Sequence, residues 1–369
     1  MSQNIAICNI DQFNDNVDRL NIGLMNQECP HCRALRFHSE KKSICCHNGK
    51  SHGQHISHLS PHSSLLPLFS GISSQSRSFI KKIRKYNQAF SFTSMRSNLD
   101  ANLANESDGV YTFRVNGELY HRIGNFEAQN GNDPQFCQIY FMDPDIQSER
   151  RLQIFSDLDA ATTQVLHQSL QSHNLLVQQF VSARESAANT PNIILKINGT
   201  TVPVGQHPRR YNSSSVSEVA AVLLDDNNVT NRDIVLRRRE GGLLRINETH
   251  PAYDALSYPL FFPQGRHGWS IEMKQQHKIT LKSYVQYLIQ CRNEANVLHM
   301  GGKLFQQYVV DQFLRIEQQN LMYIRNNQQQ LRAECYQGIV DALGGNNSTH
   351  IGCRTIVPAT TIGSTRYMQ

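Results

Sequence analysis

In SRSFIKKIRKYNQAFSFTSM, Phe79, Ile80, Ile83, Asn87 and Phe90 recur at helical spacing, while Lys81, Lys82, Arg84 and Lys85 fill the opposite positions. The spacing predicts an amphipathic helix with a cationic face. Downstream the period changes to two. VYTFRVNGELYHRI sets alternating arms around Asn116-Gly117, and NIILKINGTTVPV does so around Asn198-Gly199. Both turn residues tolerate positive φ, so each segment reads as a β-hairpin. QIYFM at 138–142 reads as a further strand. VSEVAAVLL and RDIVLRRR, joined through Asp225, Asp226, Asn227 and Asn228, complete an expected antiparallel sheet. Between these strands Ser156 or Asp157 caps a helix expected to reach about Arg184, with Leu158, Ala161, Val165, Leu166, Leu170 and Phe180 along one side.

The texture changes at THPAYDALSYPLFFPQGRHGW, where Pro251, Pro259 and Pro263 stand among aromatics. Prolines at this density exclude a long regular helix or a central strand, so the segment is expected to pack as an ordered corner. His250, Tyr253 and Asp254 lie in it without a neighbouring nucleophile, which favours a structural role. Segments 280–292, 303–325 and 328–343 then show helical amphipathicity and end at Gly344-Gly345. The expected fold class is α+β: a small N-terminal module, an antiparallel sheet with packed helices, and a C-terminal helical segment. The boundaries fall at 1–65, 66–247 and 248–369.

Candidate chemistry concentrates near the start. Cys29 and Cys32 form CPHC, and Cys45, Cys46 and His47 follow in CCHNGK. Zinc takes four thiolate or imidazole donors in a tetrahedron, and C-x2-C supplies two of them from one turn. Adjacent cysteines both ligate only where the backbone turns sharply; Cys45 and Cys46 are the expected second pair, with His47 as the substitute. Four protein donors leave no open position, so such a site is structural, folding a module too short to build its own core. His52, His55, His58 and His62 lie in a Ser- and Pro-rich stretch with no cysteine partner and read as a solvated loop.

Composition modifies this picture only modestly. The 369-residue chain carries a net charge of +6, compatible with a polyanionic partner. No apolar run approaches transmembrane length and the N-terminus lacks a secretory signal, so a reducing compartment without disulfides is expected, with Cys8, Cys137, Cys291, Cys335 and Cys353 packed or idle. The cationic face at 81–85 suits a phosphate backbone, and Tyr86 or Phe92 are candidates for stacking on an unpaired base. Arg237, Arg238 and Arg239, at the end of an expected strand, are further DNA-binding candidates or simply a solvated turn.

Taken in order, CPHC…CCHNGK, FIKKIRKYNQAFSFTS, VYTFRVNGELYHRIG with QFCQIYFMD, ETHPAYDALSYPLFFPQGRHGW, KLFQQYVVDQFLRIEQQNLMYIRNNQQQLRAECYQG and IVPATTIGSTRYMQ resemble the N-terminal part of Helitron transposases. The resemblance runs from about Cys29 to the last residue. It implies a zinc-binding region ahead of a rolling-circle endonuclease and a DNA helicase, with a divalent metal and ATP serving only those later domains, and a C-terminal helical segment that leads into a truncated nuclease domain. The family's endonuclease uses two histidines flanking an apolar residue, and no His-x-His occurs here. Tyr284 and Tyr287 sit three apart rather than four, and read as positions of an ordinary helix. HMGGKL at 299–304 lacks the first glycine of a phosphate-binding loop, where Val297 stands, and has Leu304 in place of its hydroxyl. The expected role is therefore the nuclear, DNA-binding front of a Helitron-like transposase that engages single-stranded or transposon-end DNA, makes no membrane contact and neither cuts nor unwinds by itself. The alternatives are a host-adopted zinc-containing protein-interaction module or an inactive remnant.

Overall fold

The computed structural model describes residues 22–50, 59–99, 113–128, 132–189, 193–199, 220–223, 232–238, 242–273 and 278–327. A two-stranded ribbon, β1 (Gln27–Glu28) and β2 (Leu35–Arg36), comes first. It is followed by α1 (Leu66–Phe69), α2 (Ser74–Lys81), α3 (Ile83–Phe90), β3 (Ser94–Leu99) and β4 (Val115–Ile123). Next are the helices α4 (Cys137–Phe141), α5 (Pro144–Ile154), α6 (Ala160–His173) and α7 (Leu175–Asn189). The strands β5 (Ile194–Ile197), β6 (Ala220–Leu223), β7 (Ile234–Arg237) and β8 (Leu244–Arg245) lead into α8 (Tyr253–Ser257), α9 (Leu281–Ile289), α10 (Val297–Met300) and α11 (Gly302–Asn326). The class is α+β, as the periodicities imply.

Two three-stranded antiparallel sheets have orders β3-β4-β8 and β6-β5-β7. In the second, β5 lies between its two partners, pairing Leu195 with Val222 on one side and Leu236 on the other. Residues 200–219, which hold the far arm of the hairpin expected at Asn198-Gly199, lie outside the described residues. Gly199 itself is demanded by packing: a Cβ there would stand 2.0 Å from the Arg232 carbonyl oxygen.

The hairpin expected at Asn116-Gly117 does not form. β4 runs straight through these residues and pairs with β3, with Ser94 opposite Arg122 and Leu99 opposite Val115. The register shifts between Arg96 and Asn98, and Gly117, at φ 86, absorbs the irregularity. Positive φ is needed in a bulge as much as in a turn, so Asn-Gly alone does not separate the two.

Three further expectations also change. QIYFM is not a strand but most of α4, since a short apolar run buried all round carries no period to distinguish the two. The single helix from Ser156 or Asp157 to Arg184 is instead two, α6 and α7. Asp159 caps the first, its carboxylate accepting from the Thr162 N–H at 2.8 Å, and Asn174 starts the second, accepting from Leu176 and Val177. The basic helix likewise divides at Lys82 into α2 and α3. The expected helices 280–292 and 303–325 are present as α9 and α11, whereas 328–343 lies outside the described residues.

The proline-rich corner carries one short helix, α8, between Pro251 and Pro259, and is buried almost throughout from His250 to Phe261. Tyr258, Phe261 and Phe262 pack on Tyr308 of α11. Trp269 is buried with its indole N–H donating to the Ile279 carbonyl at 2.8 Å. One continuous cluster of buried apolar residues extends from Cys29 to Tyr308.

Candidate metal centre and cationic cleft

The β1–β2 ribbon brings four cysteines together. After Cys29 the chain reverses through a tight turn in which Arg33, at φ 57, donates to the Cys29 carbonyl, and Cys29 donates to the Ala34 carbonyl, each at 2.9 Å. A second turn follows Cys46, where His47, Asn48 and Gly49 have φ of 50, 57 and 85. It swings the Gly49 N–H to 3.2 Å from Cys46 Sγ. The sulfurs of Cys29, Cys32, Cys45 and Cys46 all lie within 4.8 Å of one another, and all four residues are buried. Cys46 Sγ is 3.7 Å from Cys29 Sγ and 3.9 Å from Cys45 Sγ. This set can hold a metal ion. His47 is exposed beside it and is not one of the four.

The thiols are electrostatically unequal. Burial works against a Cys29 thiolate, but the Cys32 and His31 N–H groups and the neighbouring thiols outweigh it and bring Cys29 down to about 7. Burial pushes Cys46 up to about 12, and Cys45 is pushed up for the same reason. Four thiolates in so small a volume repel one another, and a cation at the centre removes that penalty. The cluster docks on the far end of the chain: Leu35 donates to the Cys291 carbonyl at 2.9 Å, and Arg292 donates to the Cys32 carbonyl at 3.1 Å.

The second arrangement is a cleft of about 500 Å³ where α2 and α3 face β3 and the start of α11. Lys81, Lys82, Arg84, Lys85 and Lys303 line it, and among the described residues no carboxylate does. Lys82 and Lys85 pair with Asp157, at 3.6 and 2.8 Å. Arg84 donates to Gln307 Oε1 at 2.7 Å. Lys303 is held below the ordinary lysine range by partial burial and by the positive charges of Lys81 and Arg84, a sign of how closely the cations are gathered.

Tyr86 and Phe92 are not available to stack on bases. Tyr86 is 1 % exposed, and its hydroxyl accepts from the Asp159 N–H at 3.0 Å. Phe92 is fully buried and stacks on Tyr140 with ring centroids 4.4 Å apart. Sequence spacing assigned a helix face; the break at Lys82 and the packing of α4 and α7 turned both rings inward. Arg237 is exposed, Arg238 is ion-paired with Glu127, and Arg239 lies outside the described residues.

Beneath the cleft is a buried polar network that the spacing did not bring out. Asp311 of α11 accepts from His121 Nε2 at 2.9 Å, the Tyr253 hydroxyl at 2.8 Å and the Tyr258 hydroxyl at 2.7 Å. Burial opposes its charge, but His121 and the two hydroxyls hold Asp311 below the usual carboxylate range. One turn along, Arg315 meets both Asp254 oxygens at 3.3 Å and lies 4.2 Å above the Tyr253 ring centroid. Burial raises the Asp254 carboxyl in spite of Arg315. The available sequence signal was a carboxylate and a guanidinium four residues apart within an otherwise amphipathic helix.

Residues 284–369 match the family model of the Helitron helicase-like domain at N-terminus. The chain carries a Helitron helicase-like segment. No curated protein matches the chain. Within the described residues this segment comprises most of α9 together with α10 and α11, and it supplies Asp311, Arg315 and Lys303. The cationic cleft thus lies on the seam between the Helitron segment and the chain upstream of it, and the cysteine cluster docks on the same segment through Cys291 and Arg292. Tyr284 and Tyr287 are both buried in α9, at 6 % and 4 % exposure, and burial raises the hydroxyl pKa of each. Neither is placed to attack a phosphate. No described helix is long and apolar enough to cross a membrane.

Proposed function

We propose that this chain is the DNA-binding front portion of a Helitron-like transposase, with single-stranded or transposon-end DNA as its partner and the nucleus as its place of action. The observation that carries this reading is the cleft lined, among the described residues, by five cations and no carboxylate on the seam with the Helitron segment. Phosphate backbones are held by such groups without reaction chemistry. Lys81, Lys82, Arg84 and Lys85 are the primary contacts, with Arg237 as an outlying one.

The four cysteines hold a structural zinc ion in this reading. Zinc–thiolate bonds of about 2.3 Å in a tetrahedron put sulfurs ~3.8 Å apart, and the observed 3.7 and 3.9 Å separations agree. Cys29, Cys32, Cys45 and Cys46 complete the shell, so the metal fixes the ribbon against Arg292 and takes no part in chemistry.

The test is single-stranded DNA binding by fluorescence anisotropy over a series of salt concentrations. Expected is a steep linear fall of log affinity with log salt, flattened in a Lys81→Ala/Lys85→Ala variant by up to about 0.7 per lysine that contacts a phosphate. Binding that is weak at low salt, or a slope unchanged in the variant, removes the cleft from the contact surface.

A further inference from the structure

Of the four histidines in the Ser- and Pro-rich stretch, His62 lies within the described residues, just ahead of α1. It is half-buried rather than solvated. Its imidazole packs on that of His173, the exposed last residue of α6, with ring centroids 4.3 Å apart and planes inclined at 51°. Each ring is fastened at one nitrogen. His173 Nδ1 lies 2.9 Å from the Ser169 carbonyl oxygen. A carbonyl only accepts, so this nitrogen carries the proton and Nε2 keeps its lone pair. His62 Nδ1 lies 2.8 Å from Ser64 Oγ, with the Ser64 N–H further off at 3.4 Å, and Ser64 Oγ is 2.7 Å from Ser169 Oγ. Both Nδ1 atoms are thus held by one linked pair of serines, and neither Nε2 makes a hydrogen bond among the described residues. An imidazole that is tied through one nitrogen to an oxygen, with the other nitrogen open, has the outer-shell arrangement of a metal-ligating histidine.

We propose that His62 and His173 form a second metal site, separate from the cysteine cluster, that takes a divalent ion of the nickel or copper kind through both Nε2 atoms. The spacing of the rings selects the geometry. With a metal–nitrogen bond of about 2.0–2.1 Å each ring centroid stands ~3.2 Å from the ion, so two centroids are ~4.5 Å apart for ligands at a right angle and ~5.2 Å apart in a tetrahedron. The observed 4.3 Å suits the right angle. Right angles belong to square-planar and octahedral ions that favour imidazole, and tetrahedral zinc fits the pair less well. His173 also closes the 14-residue α6, whose C-terminal carbonyls favour a cation. The Leu65 and Leu66 N–H groups both donate to the His62 carbonyl at 2.9 Å, so an ion on this ring clips the entry to α1 onto the end of α6. Two protein donors leave the other positions to water, so this ion exchanges more readily than one closed in by four thiolates.

The experiment uses the full chain with zinc in the cysteine cluster, titrated with nickel chloride by calorimetry, and reads the bound ion by X-ray absorption at the nickel edge. Expected is one nickel per chain with two imidazole ligands and no sulfur. His62→Gln and His173→Gln should each weaken binding about tenfold or more, a factor equal to ~1.4 kcal/mol, because either change leaves a single imidazole. A His52→Gln/His55→Gln/His58→Gln variant should bind as the unaltered chain does, which separates the pair from the rest of the histidine-rich stretch. A single imidazole per nickel, sulfur ligands, affinity unchanged in His173→Gln, or loss of binding in the triple variant overturns the proposal. The count of imidazoles is read on the unaltered chain, so a count of one decides against the site even if a variant fails to fold.

Discussion

His121 and Asp311 are 190 positions apart in the chain, yet His121 Nε2 lies 2.9 Å from the Asp311 carboxylate with both residues at most 2 % exposed. The contact ties β4 to the Helitron segment. Tyr253 and Tyr258 of the proline-rich corner donate to the same carboxylate, so one side chain joins three parts of the fold. Removing it leaves three donors without an acceptor. Asp311→Ala should therefore cost about 3–5 kcal/mol of folding stability, read from the midpoint of chemical denaturation. A cost within the range of a surface substitution would show that the network does not hold these elements together.

Acid should weaken the fold through two buried histidines. Burial, reinforced by the positive charge of Arg151, holds His167 down to about 4, and burial with His267 nearby does the same for His250. In the unfolded chain each titrates near ~6.5. The folded values are depressed, so the unfolded state binds more protons in this window. Their stabilisation is complete above pH ~6.5 and is lost as pH falls toward 4, each fully titrating proton contributing a slope of about 1.4 kcal/mol per pH unit. Asp254, raised by burial, works in the opposite direction. Stability measured from pH 7 to 5 should fall, and less steeply in His167→Gln. An identical slope in that variant would remove His167 as a contributor.

Zinc content distinguishes the cysteine set from its histidine neighbour. Purified chain should carry about one zinc per molecule when analysed by elemental mass spectrometry. Cys45→Ser and Cys46→Ser should each lose it, while His47→Ala, altered at an exposed position, should keep it. Loss of zinc in His47→Ala would replace one sulfur by an imidazole in the ligand set. Chelation should also expose the ribbon to proteolysis, because a structural metal contributes its binding energy to the folding of the segment that holds it.

Phe92 offers a test of packing against binding. Its ring is fully buried against Tyr140 and Phe180. Phe92→Ala should destabilise by about 3–5 kcal/mol while leaving DNA affinity per folded molecule unchanged. A selective loss of DNA affinity with normal stability would return the ring to the contact surface.

Local chemistry made some of this legible. CPHC and CCHNGK announced a four-donor cluster because turn geometry and thiol chemistry are properties of a few consecutive residues. The helices α9 and α11 were visible because their apolar periods are long. Asn116-Gly117 failed as a turn signal because the same positive φ serves a bulge, and the strand that decides between the two, β3, lies at 94–99, where the pattern predicts no element. QIYFM failed because burial on every side erases the alternation that marks a strand.

The sequence by itself determined the α+β class, the thiol cluster, the cationic segment and the likeness to Helitron proteins, since each is carried by residue type and short-range order. Only the tertiary structure decided that Tyr86 and Phe92 face inward, that His47 stands outside the cluster, and that Asp311 gathers His121, Tyr253 and Tyr258. It also decided that Lys81 and Lys303 share one cleft. Contacts across hundreds of residues depend on which surfaces are driven together by burial of the apolar core, and no local period or spacing records that choice.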